Sequence, residues 1–397
     1  MSDQRSQITL VGSDRQIYTV DPESGARECI SQGTLNDALL PWGIQESTQR
    51  SYGWPTWSPD GNWIATIRYP VDESPEGPFE ICALSRDGVS SMEICTLRGT
   101  IPIYMQWSPD SKAVAILVQN QVKLELLTVE LHELGRTRVQ ERGIPLFFTW
   151  TPESHRLLVH AGDHEAGIGR LVLVDPMGKR TRTVLPQTPG SFCAPFFIAD
   201  RLVYALNRPG TPLSELVVSS GPEAKPNTLY EGAGLLAIVP HPFEPCVAVS
   251  SAPEGEGTPY LGIDLVDLNG VSHIRLTDEP VFSMTWTPDG KQLLFTVMDR
   301  EASCVRWVAI DISTLKSRDL VSFWPSRETL FFLHFFDQYA QSHPIISPCG
   351  KWLVLAGYPA GNGRMDLSQD PQLKLISLDG EPEERVLGDA IFAIWGK

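Results

Sequence analysis

Apolar and polar positions alternate in short runs along most of the chain, and each run is closed by a turn-forming cluster. "NWIATIRY", "KQLLFTVM" and "KWLVLAGY" have the period of two expected of half-buried strands. Helical periodicity is sustained almost nowhere. An apolar strand leads into "WSPDG" at Trp57, "WSPDS" at Trp107, "WTPES" at Trp150 and "WTPDG" at Trp286. A fifth copy has Ile346 in place of the Trp, and degenerate copies lie near Phe197 and Pro240. The copies recur every roughly 40 to 60 residues, the period of a four-stranded propeller blade.

Each unit reads as four strands that run from apolar to polar. A third strand ends in Asp and a turn former ("FEICALSRDG", "LGIDLVDLNG"), and a weaker polar strand follows it. The chain starts with what reads as second, third and fourth strands ("QITLVG", "QIYTVDPESG", "ARECISQ"). It ends in an inner-strand pattern, "DAIFAIWGK", with Trp395 in the repeating Trp position. One blade is therefore expected to be split between the termini, which leaves no sheet edge open. Inner strands at 57, 107, 150, about 197, about 240, 286, 346 and 395 predict an all-β propeller of eight blades. Seven is the alternative if one degenerate copy is false. A single domain over 1–397 is expected, with insertions at 31–55 and 328–345.

In Ser58-Pro59-Asp60-Gly61 the Pro fixes φ, the Asp bonds its own backbone, and the Gly takes the left-handed conformation. Where Ser111 or Ser154 replaces the Gly, strain is expected. The Trp before each turn is read as an inter-blade wedge, as are the tryptophans of "YGWPTWSPDGNW". These turns resemble those of the TolB-like, PD-repeat propeller family, and the resemblance spans nearly the whole chain. It implies the propeller fold and says little about activity.

Composition narrows the function classes. A net charge of −16 argues against nucleic acid or an anionic membrane as partner. No apolar run reaches the roughly 20 residues of a membrane span, and the N-terminus lacks a secretion-signal pattern, so a cytoplasmic location is expected. The seven cysteines are dispersed without a CxxC or Cys/His cluster, so no metal and no cofactor is expected. Cys82 and Cys95 would stand opposite each other in a symmetric hairpin and are expected as free thiols.

If the WSPDG turns occupy one face, the loops on the other surround the channel mouth, where such folds present ligand-binding groups. Those loops are acidic: Asp72, Glu73 and Glu76; Asp163, His164 and Glu165; Glu254 and Glu256; Asp299 and Glu301; Asp366 and Asp370. They would attract a basic peptide or another cation. The segment Glu328 to Pro348 is inserted before an inner strand and collects His334, Phe336, Asp337, Gln338, Tyr339, Ser342 and His343. It reads either as a ligand-contacting segment or as a short amphipathic plug. Trp42, in the insertion at 31–55, is available for contact.

Serine-hydrolase, zinc-protease, P-loop and dinucleotide-binding motifs are all absent. The leading expectation is therefore a non-enzymatic scaffold that binds a protein or peptide, with no catalytic residue. The alternative is an enzyme or small-molecule/metal binder at the channel mouth, with acid–base chemistry from His334, Asp337, Tyr339 and His343. A subunit of a larger assembly is the third.

Overall fold

The computed structural model describes residues 6–31, 50–70, 77–153, 156–163, 168–176, 181–186, 188–189, 193–198, 200–208, 210–221, 224–253, 260–270, 272–299, 304–360 and 365–396. Among them are six four-stranded antiparallel sheets and one seven-stranded sheet. In five of the four-stranded sheets the strands follow in chain order, each paired with the next. Tyr52–Trp57, Ile101–Trp107, Leu146–Trp150, Phe196–Ile198 and Leu235–Pro240 are their first strands. The sixth sheet joins the two ends of the chain, with Phe392–Trp395 antiparallel to Ile8–Val11 and Ile8 opposite Trp395. The seven-stranded sheet starts at Ser283–Trp286. Its fourth strand, Lys316–Pro325, pairs along Phe323–Pro325 with Gly357–Pro359 of the next meander. Ile346 makes a single bridge to Leu353 where that meander would have a first strand.

Apolar alternation explains this layering. Second strands such as Ala113–Gln119 are buried over six of their seven residues, whereas fourth strands such as Arg182–Val184 are wholly exposed. The repeating Trp ties each sheet to the one before it. Trp107 Nε1 donates to the carbonyl of Thr56 at 3.1 Å, Trp150 Nε1 to Gln106 at 3.4 Å, and Trp286 Nε1 to Val239 at 3.1 Å. Trp57 Nε1 donates to Thr9 Oγ1 at 2.9 Å. Trp395 differs: its indole N–H is buried and has no partner among the described residues.

The turns are built as the residue types require. Ser58 Oγ donates to Asp60 Oδ1 at 2.5 Å and accepts from the Trp63 amide at 3.0 Å, with Gly61 at φ +71°. Ser111 takes the same left-handed conformation at φ +61°. Its hydroxyl accepts from the Asp60 amide at 3.0 Å, a bond between neighbouring turns that offsets part of the strain. Ser154 lies outside the described residues.

Two expectations need correcting. A bulge between Ile81 and Cys82 sets Cys82 opposite Glu93 and Cys95 opposite Ile81, so the two thiols do not face each other. Both are free, and burial pushes them up to about 11 and about 12. For Trp54 the inter-sheet reading is incomplete, because its ring packs on Phe392 of the neighbouring sheet and on the inserted segment as well. It sits at φ +54°, in a register shift between Gly53 and Thr56, with its ring against the inserted segment.

Candidate functional site

The insertion is helical, although no helix was expected there. Ser326 caps helix α1 (Arg327–His334) by accepting the Thr329 amide on its Oγ at 3.0 Å. A turn at Phe335 leads into the short helix α2 (Phe336–Tyr339). Thr329, Phe332, Leu333, Phe336 and Tyr339 are buried at the three- and four-residue spacing of one helix face. That period was present in the sequence but was outweighed by the strand pattern on both sides.

Two short helices rather than a strand let the segment reach the first strands of most sheets from the centre. Gln338 is clamped to Phe148: Oε1 accepts the Phe148 amide at 3.1 Å and Nε2 donates to its carbonyl at 2.9 Å. The Tyr339 hydroxyl donates to the carbonyl of Ile103. Gln341 Oε1 accepts from Thr149 Oγ1 at 2.7 Å, and the Ser342 carbonyl accepts from Thr56 Oγ1 at 3.0 Å. Pro344 closes the segment by accepting the Trp395 amide at 2.7 Å. The insertion is therefore a plug seated among the inner strands.

Depth along the plug follows from strand polarity. Each first strand ends at its Trp turn, so Trp54, Ile103 and Ala194 lie towards the opposite, mouth end. Thr56 and Thr149 lie deeper. Helix α1 accordingly faces the mouth, where Leu330, Phe331 and His334 are exposed, and residues 341–343 lie furthest in. At the mouth the Arg15 guanidinium pairs with Glu328 at 3.3 Å.

The site residues named from sequence take different positions along this plug. His334 is exposed, its ring 4.8 Å from Phe335 and 6.2 Å from Phe282. Phe336 and Tyr339 are 3% exposed and Gln338 is 4% exposed, so all three are committed to packing. His343 is buried among Trp54, Tyr104, Tyr339 and Phe392. Its Nδ1 lies 2.7 Å from Ser342 Oγ, while Nε2 has no partner among the described residues. Burial pushes the imidazole down to about 3, so it is neutral at physiological pH.

Asp337 is different. The residue keeps part of its surface open to solvent, while protein packs around its carboxyl. Desolvation pushes it up to about 6, against the opposing pull of the Ala194 amide and of the Gln338 amide at 2.9 Å. Among the described residues no Arg, Lys or His forms an ion pair with it. Its charge is felt by Cys193, Tyr260 and Tyr104, all pushed up by burial first and by Asp337 second or further down. Tyr260 is partly exposed and stands edge-on to Phe336 at 6.1 Å. Neither Tyr260 nor Cys193 was singled out from sequence, because only the fold brings them to residue 337.

Trp42, His164 and the side chain of Asp163 lie outside the described residues, as do Asp72, Glu73, Glu76, Glu165, Glu254, Glu256 and Glu301. Asp366 is described, and it is exposed in a local turn with Ser368. Among the described residues no group of three or more His, Cys, Asp or Glu side chains could hold a metal ion. A surface cleft lined by Pro186, Thr188, Leu206 and Lys225 lies away from the plug, and among the described residues its lining holds no carboxyl or imidazole.

Neither a protein-family model nor a curated protein sequence matches the chain. Solved structures do. The β-propeller domain of the Trilobed protease from Pyrococcus furiosus is 14% identical with a TM-score of 0.51, covering 86% of this chain and 98% of that one. A structure from work on two prolyl endopeptidases is 12% identical with a TM-score of 0.51, covering 91% of this chain and 50% of that one. This chain thus spans half the length of that enzyme. TolB from Acinetobacter baumannii is 12% identical with a TM-score of 0.40, covering 79% and 62%.

The two likenesses at a TM-score of 0.51 show the fold alone. They also correct the expectation of a non-enzymatic protein-binding scaffold, which rested on pairing this fold with a lack of catalytic motifs. Propellers of this shape occur within a protease and a prolyl endopeptidase, so the pairing excludes nothing. The chain is all-β, built mostly of four-stranded sheets, and has the β-propeller fold.

Proposed function

We propose that this protein handles a small molecule at the mouth side of its plugged channel, with Asp337 as the anchoring or acid–base group. The observation that carries this reading is Asp337, a residue with part of its surface exposed and no Arg, Lys or His ion-pair partner among the described residues, on the short helix α2 of the plug. A plug that only filled space would be served as well by Asn, which avoids the desolvation of a charge. A carboxyl near 6 changes protonation state close to neutral pH, as general acid–base chemistry needs. Tyr260 beside Phe336, exposed His334 and the Arg15–Glu328 pair are further polar groups near it among the described residues.

The same reading takes residues 1–397 as a single propeller of the TolB-like, PD-repeat type. Counting the seven-stranded sheet as two blades, the second opened by the Ile346 bridge, makes eight blades. The Phe392–Trp395 strand would close the ring.

A thermal-shift screen of a small-molecule library tests the site, run in parallel on the wild type, Asp337→Asn and Tyr260→Phe. Ligands at the proposed site stabilise the wild type and lose at least tenfold in affinity with Asp337→Asn. If every stabilising ligand acts equally on wild type and Asp337→Asn, the site is elsewhere and the reading fails.

A further inference from the structure

The plug and the last strand of the chain hold each other at both ends. Ser326, where the insertion begins, donates its hydroxyl to the Ile391 carbonyl, just before the strand Phe392–Trp395. Pro344, where the insertion ends, accepts the Trp395 amide at 2.7 Å. Between these two feet the insertion arches into the channel and returns, with the rings of Phe332 and His343 lying 6.0 and 5.9 Å from that of Phe392. The last strand is therefore held by its four-residue ladder to Ile8–Val11 and, at both ends, by the plug.

The sheets are joined least completely at this place. Trp107, Trp150 and Trp286 each donate the indole N–H to the sheet before, taking the carbonyl that precedes its repeating turn position. For Trp395 the equivalent carbonyl is that of Ile345, which accepts the Val354 amide at 2.8 Å, and the Trp395 indole is left unpartnered among the described residues. The meander before it has only the Ile346–Leu353 bridge in place of a first strand. A small cavity remains where plug, last strand and that meander meet, lined by Phe332, Leu333, Val354, Phe392, Ala393 and Trp307. The Trp307 indole N–H is also buried without a partner among the described residues.

From this we infer that the plug and the C-terminal strand form one cooperative unit, a latch that opens and closes as a piece, ahead of the sheets around it. Units of this kind follow contiguous hydrogen bonds and packing, and they open first where both are thinnest. The Ser326 and Pro344 bonds and the contacts on Phe392 belong to both partners. Once either lets go, the other has lost them too, so the second release costs less than the first. The seated plug is the closed state of the channel, and the last strand is its latch. How the plug is held does not depend on what Asp337 binds.

Native-state hydrogen exchange of the full chain, followed by mass spectrometry at urea concentrations below the unfolding transition, tests the latch. Peptides covering residues 328–343 and 390–396 should exchange within about twofold of each other, with one urea dependence, and at least about tenfold faster than Ala113–Gln119 and Gln292–Asp299. This arm needs no variant. Ser326→Ala removes one foot and also uncaps α1, so it is read on the far partner: exchange in 390–396 should rise together with that in 336–343. If the plug exchanges faster while 390–396 exchanges with the sheets, the plug is an independent lid and the latch is wrong. If both segments exchange only with the sheets, there is no separate unit and the latch is equally wrong. If Ser326→Ala speeds the plug and leaves 390–396 unchanged, the two are not coupled and the inference falls.

Discussion

The turns at one end of the sheets and the plug at the other use the same residue types, serine, aspartate and aromatic rings, with opposite physical results. In the turns, burial disfavours the charge on Asp60, but the Ser58 hydroxyl and the Asn62 amide outweigh it and hold the carboxyl below its ordinary range. Asp110 and Asp289 repeat this balance with Ser108 and Thr287. In the plug, two amides fail to offset desolvation at Asp337, which is pushed up instead. The indoles of Trp57, Trp107, Trp150 and Trp286 are bonded, while His343 Nε2 is left without a partner. Satisfied polar groups repeat from sheet to sheet and hold them together. Buried polar groups without a partner occur on the sheets as well, at Trp307 and Trp395, but the titratable groups Asp337 and His343 lie in the segment that does not repeat. A chemical role is better sought at Asp337 and His343, because groups whose protonation is shifted by burial cluster at functional sites.

The largest expected break in this comparison is Tyr339→Ala. Tyr339 is 3% exposed, donates to the Ile103 carbonyl, and packs against Trp54, Tyr104, Phe332 and His343. Its truncation removes that packing and leaves a buried carbonyl unpaired, for a loss of about 3–5 kcal/mol. Urea unfolding measures it. A loss below about 1 kcal/mol would mean that the plug is a separable lid rather than part of the core.

Next comes a pair of variants within the repeating set. Trp107→Phe and Trp395→Phe remove the same volume from buried sites, but only Trp107 has a bonded indole. The first should cost about 1–2 kcal/mol more than the second, the penalty for stranding the Thr56 carbonyl. Equal losses in urea unfolding would show that the indole wedge acts by size alone.

How much of this could be read along the chain depends on which signals are local. The turn chemistry of Ser58–Gly61 involves residues within a few positions, so it is legible, and its repetition locates most first strands. Even the degenerate ends near Phe197 and Pro240 match strands at Phe196–Ile198 and Leu235–Pro240. The plug was legible as an insertion with unusual composition. Its helical form was not, because eight and four helical residues make too short a periodic window between strand patterns. The outlying roles were hidden for non-local reasons. Trp54 meets the plug as well as the neighbouring sheet at a register shift, and Cys82 and Cys95 are moved out of register by a single bulge. Asp337 comes near Tyr260 and Cys193 only because the fold packs the plug against sheets distant in sequence.

Asp337→Asn sharpens the contrast in the stabilising direction. Its folded-state carboxyl titrates near 6, above the ordinary value of 3.8, so the native state favours the protonated form. Wild-type stability should therefore decline as pH rises from about 4 to about 6 and then level off. The Asn variant should lack that slope and melt about 2 °C higher at pH 7.5, by calorimetry. A lower melting temperature at both pH 5 and pH 7.5 would mean that the carboxylate's bonds to Ala194 and Gln338 outweigh its desolvation.

The smallest effect lies in the turns and has the opposite sign. The carboxyls of Asp60, Asp110 and Asp289 are held below their ordinary range, so the stability they contribute is present above the unfolded-state pKa, near 4. It is lost as pH falls through the lower, folded-state values. Asp60→Asn should flatten the acid limb of the stability curve below pH 4 and leave the slope between pH 4 and 6 untouched. In Asp337→Asn the two limbs should exchange roles. The double variant should show both changes added, since a turn and the plug share no partners. If Asp60→Asn altered the limb between pH 4 and 6, turn and plug would be coupled through the strand Tyr52–Trp57, which leads into the turn and carries Trp54 against the plug. The separation of architecture from chemistry would then fail at the one strand that serves both.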